Sequence, residues 1–240
     1  MAQAGRVVAD ALTLLGENMQ PGITTQELDA IAEEYIRSQG GDPTFKGYHG
    51  FPASICTSPN SMVVHGIPGA YRVEEGDLIS VDVGVTLNGF VADSAYTFAV
   101  GEVDDEAQRL LEAGQAALEA GISEARAGNR IGDISTAVQR TTEEAGFSVV
   151  KSLVGHGIGR SMHEEPQIPN WGEPGRGPLL APGMTLAIEP MINAGSPDVF
   201  VAVDRWSIST ADGSVSAHFE HTVAVTEAEP RILTFAEVRV

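Results

Sequence analysis

Basic residues, cysteine and long apolar runs are all scarce in this chain. Among 240 residues, 14 Lys and Arg face 33 Asp and Glu, a formal net charge of −19, and Lys46 and Lys151 are the only lysines. A surface that negative opposes sequence-independent binding to nucleic acid phosphates or to an anionic membrane face, so DNA and membrane are not expected partners. Cys56 is the sole cysteine. It rules out an intramolecular disulfide and fits a reducing compartment. No uncharged apolar run reaches the roughly 18 residues of a membrane span. The N-terminal Met1-Ala2-Gln3-Ala4-Gly5-Arg6 lacks the charged-then-apolar order of a signal peptide. Cytoplasm is the expected location.

With 42% hydrophobic residues, the chain has enough apolar material for a large core, and a single domain over 1–240 is expected. Apolar positions at helical spacing (Val7, Val8, Ala11, Leu12, Leu14, Leu15) predict a helix over 2–18. A second is predicted over 25–38, where Thr24 and Glu27 form a capping box after Pro21-Gly22. Residues 43–77, rich in Gly, Pro and Ser, read as loops around short strands. From Leu78 to Phe98 the period changes to two around Asn88-Gly89, the dipeptide that most favours a tight hairpin turn. Helices are predicted over 105–127 and 131–145, followed by strands and a second hairpin at Asp212-Gly213, joining 200–210 to 217–226. Gly22-Ile23-Thr24-Thr25-Gln26-Glu27-Leu28-Asp29 is echoed 106 residues later by Gly128-Asn129-Arg130-Ile131-Gly132-Asp133-Ile134-Ser135. On the sequence alone this is a duplication or two similar helix starts. A duplication, with repeats about 1–100 and 101–240, predicts a site between two pseudo-symmetric halves, each lending acids.

In Leu78-Ile79-Ser80-Val81-Asp82-Val83-Gly84-Val85 the odd positions are aliphatic, so Asp82 faces the other way. With Asn88-Gly89 as the turn, Asp82 pairs with Ala95 and Gly84 with Asp93. The two acids are then diagonal neighbours on one face, roughly 7–8 Å apart at Cα. Such a pair is repulsive unless a cation lies between the carboxylates or water solvates an outer face. Glu189 closes the apolar run Met184–Ile188, and Glu220 leads into the strand-like His221–Val225. Buried acids need partners, and few basic residues lie nearby in sequence. His156 is framed by Gly155, Gly157 and Gly159, where backbone can approach a ligand closely. His65 ends the apolar Val63-Val64, and His163 follows His156 too late for the four-residue spacing of a helical zinc motif.

Taken together, these residues resemble the type I methionine aminopeptidases of the pita-bread metallopeptidase family. The likeness runs through Tyr48-His49-Gly50-Phe51-Pro52, Val64-His65-Gly66-Ile67-Pro68, Asp82 with Asp93, Gly155–Gly159, His163-Glu164-Glu165-Pro166, Ile188-Glu189-Pro190 and Glu220-His221-Thr222. It implies an α+β pita-bread fold, two helix-helix-β halves around a central antiparallel sheet. It also implies removal of the initiator methionine from peptides and nascent proteins with a small second residue. Two divalent ions (Mn, Fe(II), Co or Zn) are implied, one on Asp82, Asp93 and Glu220 and the other on Asp93, His156, Glu189 and Glu220. Glu189 is implied as proton acceptor, with His163 and His65 as substrate-contacting catalytic residues.

The methionine pocket is implied to include Tyr48, Phe51, Cys56, Met162 and Trp206. Met162 stands where a phenylalanine is expected, and Gly84 where a small polar residue is expected. No zinc-finger extension is expected, so any transient ribosome association lacks that route and has no basic patch of its own. A monomer is expected by the same analogy. The alternatives are a prolidase or proline-specific aminopeptidase of the same fold, and a non-catalytic peptide-binding relative, which should have lost ligands. The 25 residues between His163 and Glu189 leave no room for the long insertion of type II enzymes.

Overall fold

In the computed structural model, which describes residues 1–235, the predicted helices α1 (Ala2–Asn18) and α2 (Thr25–Ser38) form over the expected residues. Both halves of the α2 capping box are present: Thr24 Oγ1 accepts from the Glu27 N–H, and the Glu27 carboxylate accepts from the Thr24 N–H. Three short strands follow, β1 (Asp42–Pro43), β2 (Cys56–Pro59) and β3 (Met62–Val64). The long hairpin then forms from β4 (Leu78–Leu87) and β5 (Phe90–Ala99) around Asn88-Gly89, both with positive φ. Asp82 pairs with Ala95 and Gly84 with Asp93, the register that the turn dictates.

Ile79, Val81, Val83 and Val85 are fully buried among residues of α1 and α2, including Val8, Leu12, Leu28 and Ile36. At about 1.5–3 kcal/mol per buried side chain, a one-residue slip of β4 would forfeit on the order of 10 kcal/mol. That outweighs the repulsion between two carboxylates in an isolated hairpin, so the aliphatic face forces both acids onto the other side.

The second half repeats the plan with α3 (Asp105–Ser123) and α4 (Ile131–Glu144), each ending slightly before its predicted terminus. The strands β6 (Ser148–Val149), β7 (Val154–Gly157), β8 (Glu164–Pro169), β9 (Thr185–Ile188), β10 (Met191–Asn193), β11 (Val199–Val201), β12 (Ile208–Thr210), β13 (Ser216–His218), β14 (His221–Ala224) and β15 (Arg231–Ile232) follow. The order β15-β14-β9-β7-β8 forms one five-stranded sheet, and β4 with β1, β2 and β5 forms the sheet of the first half. Leu110, Ile134, Leu186, Ile188, Phe219 and Val223 share the second core.

The echo between residues 22–29 and 128–135 has a structural counterpart in equivalent hydrogen bonds. Gly22 N–H donates to Val73 O and Thr25 N–H to Tyr71 O; Gly128 N–H donates to Leu180 O and Ile131 N–H to Pro178 O. The halves meet where β5 approaches β14. Asp93 N–H donates to Thr222 Oγ1, whose hydroxyl donates to Asp93 O, and Glu220 N–H donates to Ala95 O.

The second hairpin differs from expectation. Residues 199–210 fold on themselves, β11 pairing with β12, while β12 also pairs with β3 and β13 with β10. Asp212-Gly213 is a turn nonetheless, but it joins different sheets. The Asp212 carboxylate accepts from Ser196 N–H, Ser214 N–H and the Ser214 hydroxyl, an Asx-type closure that needs no strand pair. Among the described residues no helix is long and apolar enough to cross a membrane.

Candidate metal centre

A cavity of about 380 Å³ opens between the two halves, and every site residue named from the sequence lines it. Its floor is acidic. Asp82 comes from the middle of β4 and Asp93 from β5, Glu189 follows β9, and Glu220 lies between β13 and β14. Asp93 and Glu220 are almost fully buried, at 2% and 1% exposed. Together with His156 on β7 they offer ligand atoms that all lie within 4.8 Å of one another. Glu189 Oε1 lies 3.6 Å from His156 Nε2.

The His156 ring is fixed by a hydrogen bond between Nδ1 and Gly157 O at 2.9 Å. With Nδ1 as donor, Nε2 presents its lone pair to the acids, as a metal-binding imidazole requires. The flanking glycines are dictated by packing. A Cβ on Gly155 would stand 2.4 Å from Ala187 O, and one on Gly157 2.3 Å from Glu165 O.

Four carboxyl groups crowd this floor, and among the described residues Asp82 Oδ1, Asp93 Oδ1 and Glu220 Oε1 are buried without a hydrogen-bond partner. Burial first, then the charges of Glu220 and Asp82, hold the Asp93 pKa well above the usual carboxylate range. Burial, then Glu189 and Asp82, does the same to Glu220. Burial pushes Glu189 up to about 7 against the pull of His156, and Asp82 up to about 6. Orphaned acceptors and mutually repelling acids around one imidazole fit a divalent cation, which would satisfy the oxygens and keep the acids ionised.

The rim is of another kind. His65, His49 and His163 are exposed at the cavity mouth. His65 and His49 have φ of 60° and 47°, a left-handed conformation that costs a non-glycine residue about 1–2 kcal/mol. The Tyr48 hydroxyl lies 2.7 Å from His163 Nδ1, and the rings of His156 and His163 are 4.4 Å apart.

Phe51 and Trp206 meet edge to face at 5.1 Å. Phe51, Cys56 and Met162 are buried in one apolar cluster, against which Tyr48 and Trp206 pack. Met162 sits on a loop held by the Glu164 carboxylate, which accepts from the N–H groups of Arg160 and Ser161. Cys56 pairs with Asp82 across β2 and β4, and burial, with the Asp82 charge next, raises its thiol pKa. Cys56 is thus a small apolar wall element.

Three residues of this region were not expected. Phe45 and His49 line the cavity. His218, at the end of β13 and 2% exposed, places Nε2 3.4 Å from Glu189 Oε2. Its position two residues before Glu220 in an extended segment was the available signal, since side chains two apart in a strand share a face.

The Peptidase_M24 model, described as metallopeptidase family M24, matches residues 1–227. A methionine aminopeptidase of Clostridium perfringens is 52% identical over 234 residues, 98% of this chain and 94% of that protein. The crystal structure of methionine aminopeptidase from Rickettsia prowazekii superposes with a TM-score of 0.97 at 39% identity, covering 98% and 95% of the two chains. A prolidase from Pyrococcus furiosus shares the fold at 21% identity, with a TM-score of 0.78 over 99% of this chain and 63% of its own. The chain belongs to metallopeptidase family M24, within its methionine aminopeptidase branch.

Proposed function

We propose that this chain hydrolyses the N-terminal methionine from peptides and nascent proteins, using divalent metal held by Asp82, Asp93, His156, Glu189 and Glu220. The observation that carries the reading is the buried acid cluster with orphaned oxygens at the floor of a cavity walled by apolar side chains. Full-length relatives at about half identity carry the activity in their names. In this reading Asp82, Asp93 and Glu220 would hold one cation, and Asp93, His156, Glu189 and Glu220 a second. Asp93 and Glu220 would be shared by both. Manganese, iron(II), cobalt or zinc suits this oxygen-rich set. Bound there, such ions supply Lewis acidity and bring the ionisation of water toward neutral pH.

The remaining work falls to side chains. The Glu189 carboxylate accepts the proton of the attacking water. His163 donates from Nε2 to the substrate carbonyl as negative charge develops on it, and Tyr48 holds the opposite ring nitrogen. His65, at the mouth, contacts the peptide beside the leaving nitrogen. Phe51, Cys56, Met162, Trp206 and the Tyr48 ring enclose the methionine side chain, whose polarizable sulfur suits aromatic edges. The chain acts as one catalytic domain over 1–240 with duplicated halves, as a cytoplasmic monomer that meets emerging chains at the ribosome without a basic patch of its own.

Free methionine released from Met-Ala-Ser, compared with Met-Lys-Ser and Xaa-Pro peptides, tests the assignment. Cleavage should favour Met-Ala-Ser. Turnover confined to Xaa-Pro peptides would move the chain to the prolidase activity of its fold relatives.

A further inference from the structure

Among the described residues, His218 is the one buried histidine beside the acid cluster to which the metal reading gives no task. Its backbone is clamped: the His218 N–H donates to Thr97 Oγ1 at 2.8 Å, the Thr97 hydroxyl donates to His218 O at 2.9 Å, and Met191 pairs with it across β10 and β13. The side chain is therefore aimed by two strands. Among the described residues its Nε2 is buried and without a hydrogen-bond partner.

The Glu189 carboxylate lies between two imidazoles, Oε1 3.6 Å from His156 Nε2 and Oε2 3.4 Å from His218 Nε2. The two rings are not equivalent. His156 spends Nδ1 on Gly157 O and offers a lone pair. His218 Nε2 lies 3.4 Å from the Glu189 carboxylate with the Asp82 charge nearby and the His65 imidazole within electrostatic reach, so the tautomer that meets the carboxylate carries hydrogen on Nε2. A carboxylate rotates about its terminal bond with little preference of its own, so an outer donor decides which oxygen points inward.

We propose that His218 is a positioning residue whose Nε2–H donates to Glu189 Oε2 and turns Oε1 toward the cation shared with His156. The proposal rests on Glu189 being a metal ligand. It assigns the second oxygen of that ligand and explains why a buried imidazole, rather than another apolar side chain, ends β13. Outer partners of this kind typically change metal affinity 10–100-fold when removed.

The test is Mn²⁺ binding by calorimetry at one fixed pH to the full chain, its His218→Gln, His218→Asn and His218→Leu variants, with thermal melts as a folding control. Glutamine places an amide nitrogen the same number of bonds from Cα as the ring Nε2, while asparagine stops one bond short. Glutamine should stay within about threefold of the wild-type affinity, and asparagine and leucine should each lose 10–100-fold. Wild-type affinity in the asparagine or leucine variant, or an equal loss in all three, would overturn the positioning role while leaving the ligand set intact. A wild-type chain that binds no Mn²⁺ would remove the ligand set and this role with it. Should the leucine variant fail to fold, the glutamine-to-asparagine contrast alone decides.

Discussion

The Tyr48 hydroxyl and His163 Nδ1, contributed by segments 115 residues apart, are held 2.7 Å from one another at the cavity mouth. A phenol donating to Nδ1 leaves the proton on Nε2, the atom free to reach a substrate. His163→Ala should lower kcat by about 10²–10³, the usual cost of an oxyanion donor. Tyr48→Phe, which removes only the orienting hydroxyl, should lower kcat by about tenfold with KM for Met-Ala-Ser little changed. Steady-state kinetics on both variants checks this; a larger loss in Tyr48→Phe than in His163→Ala contradicts it.

Gly84 and Phe45 give a packing prediction. A Cβ at Gly84 would stand 2.6 Å from the Phe45 ring, so the glycine in place of an expected small polar residue makes room for an aromatic cavity wall. Gly84→Ser should destabilise by about 1–3 kcal/mol through overpacking. Gly84→Ser combined with Phe45→Leu should recover part of that loss. Chemical denaturation midpoints of the two variants provide the measurement, and equal destabilisation in both would refute the contact as cause.

Burial sets the pH dependence of the metal-free chain. Glu189 and Asp82 have folded pKa values raised to about 7 and about 6. An acid with a raised folded pKa stabilises the fold below its unfolded pKa and loses that contribution as pH rises through the folded value. His156 and His218, lowered chiefly by burial, act with the opposite sign and complete their contribution near the unfolded histidine value of about 6.5. Above that pH the acids dominate. With chelator present, Tm should fall from pH 6.5 to 8, and the gap to the Mn²⁺-loaded protein should widen. A gap that narrows over that range runs against the site as drawn.

Asp93 offers a sharper genetic test, since in the proposed ligand set it would serve both ions. Asp93→Asn, nearly the same shape, should reduce methionine release by more than about 10³ and abolish binding of the second Mn²⁺ equivalent. It should also raise the metal-free Tm, because one of four repelling acids is gone. Stability unchanged by Asp93→Asn would mean that the acids do not strain the empty site.

Much of this was legible in the sequence wherever the interactions are local. Asn88-Gly89 fixes the β4–β5 register, and hence the shared face of Asp82 and Asp93, because a two-residue turn leaves one pairing open. Thr24 and Glu27 mark the α2 start for the same reason. Strand partners were out of reach where they are distant. Asp212-Gly213 makes its turn with side-chain hydrogen bonds, and nothing within 200–226 says that β12 pairs with β3 or β13 with β10. Strand pattern and glycine framing single out Asp82, Asp93, His156, Glu189 and Glu220, and the resemblance assigns them to metal; His218 has only its two-residue offset from Glu220 as a signal, and Phe45 enters the cavity through tertiary packing that no local pattern announces.

The central claim is that Asp82, Asp93, His156, Glu189 and Glu220 hold metal on which methionine removal depends. Release of free methionine from Met-Ala-Ser, followed as chelated protein is titrated with Mn²⁺, tests it most directly. The account predicts no turnover in chelator and recovery that rises with bound metal in the wild type but not in Asp93→Asn. Full turnover by the chelated chain, or equal recovery in Asp93→Asn, would contradict it.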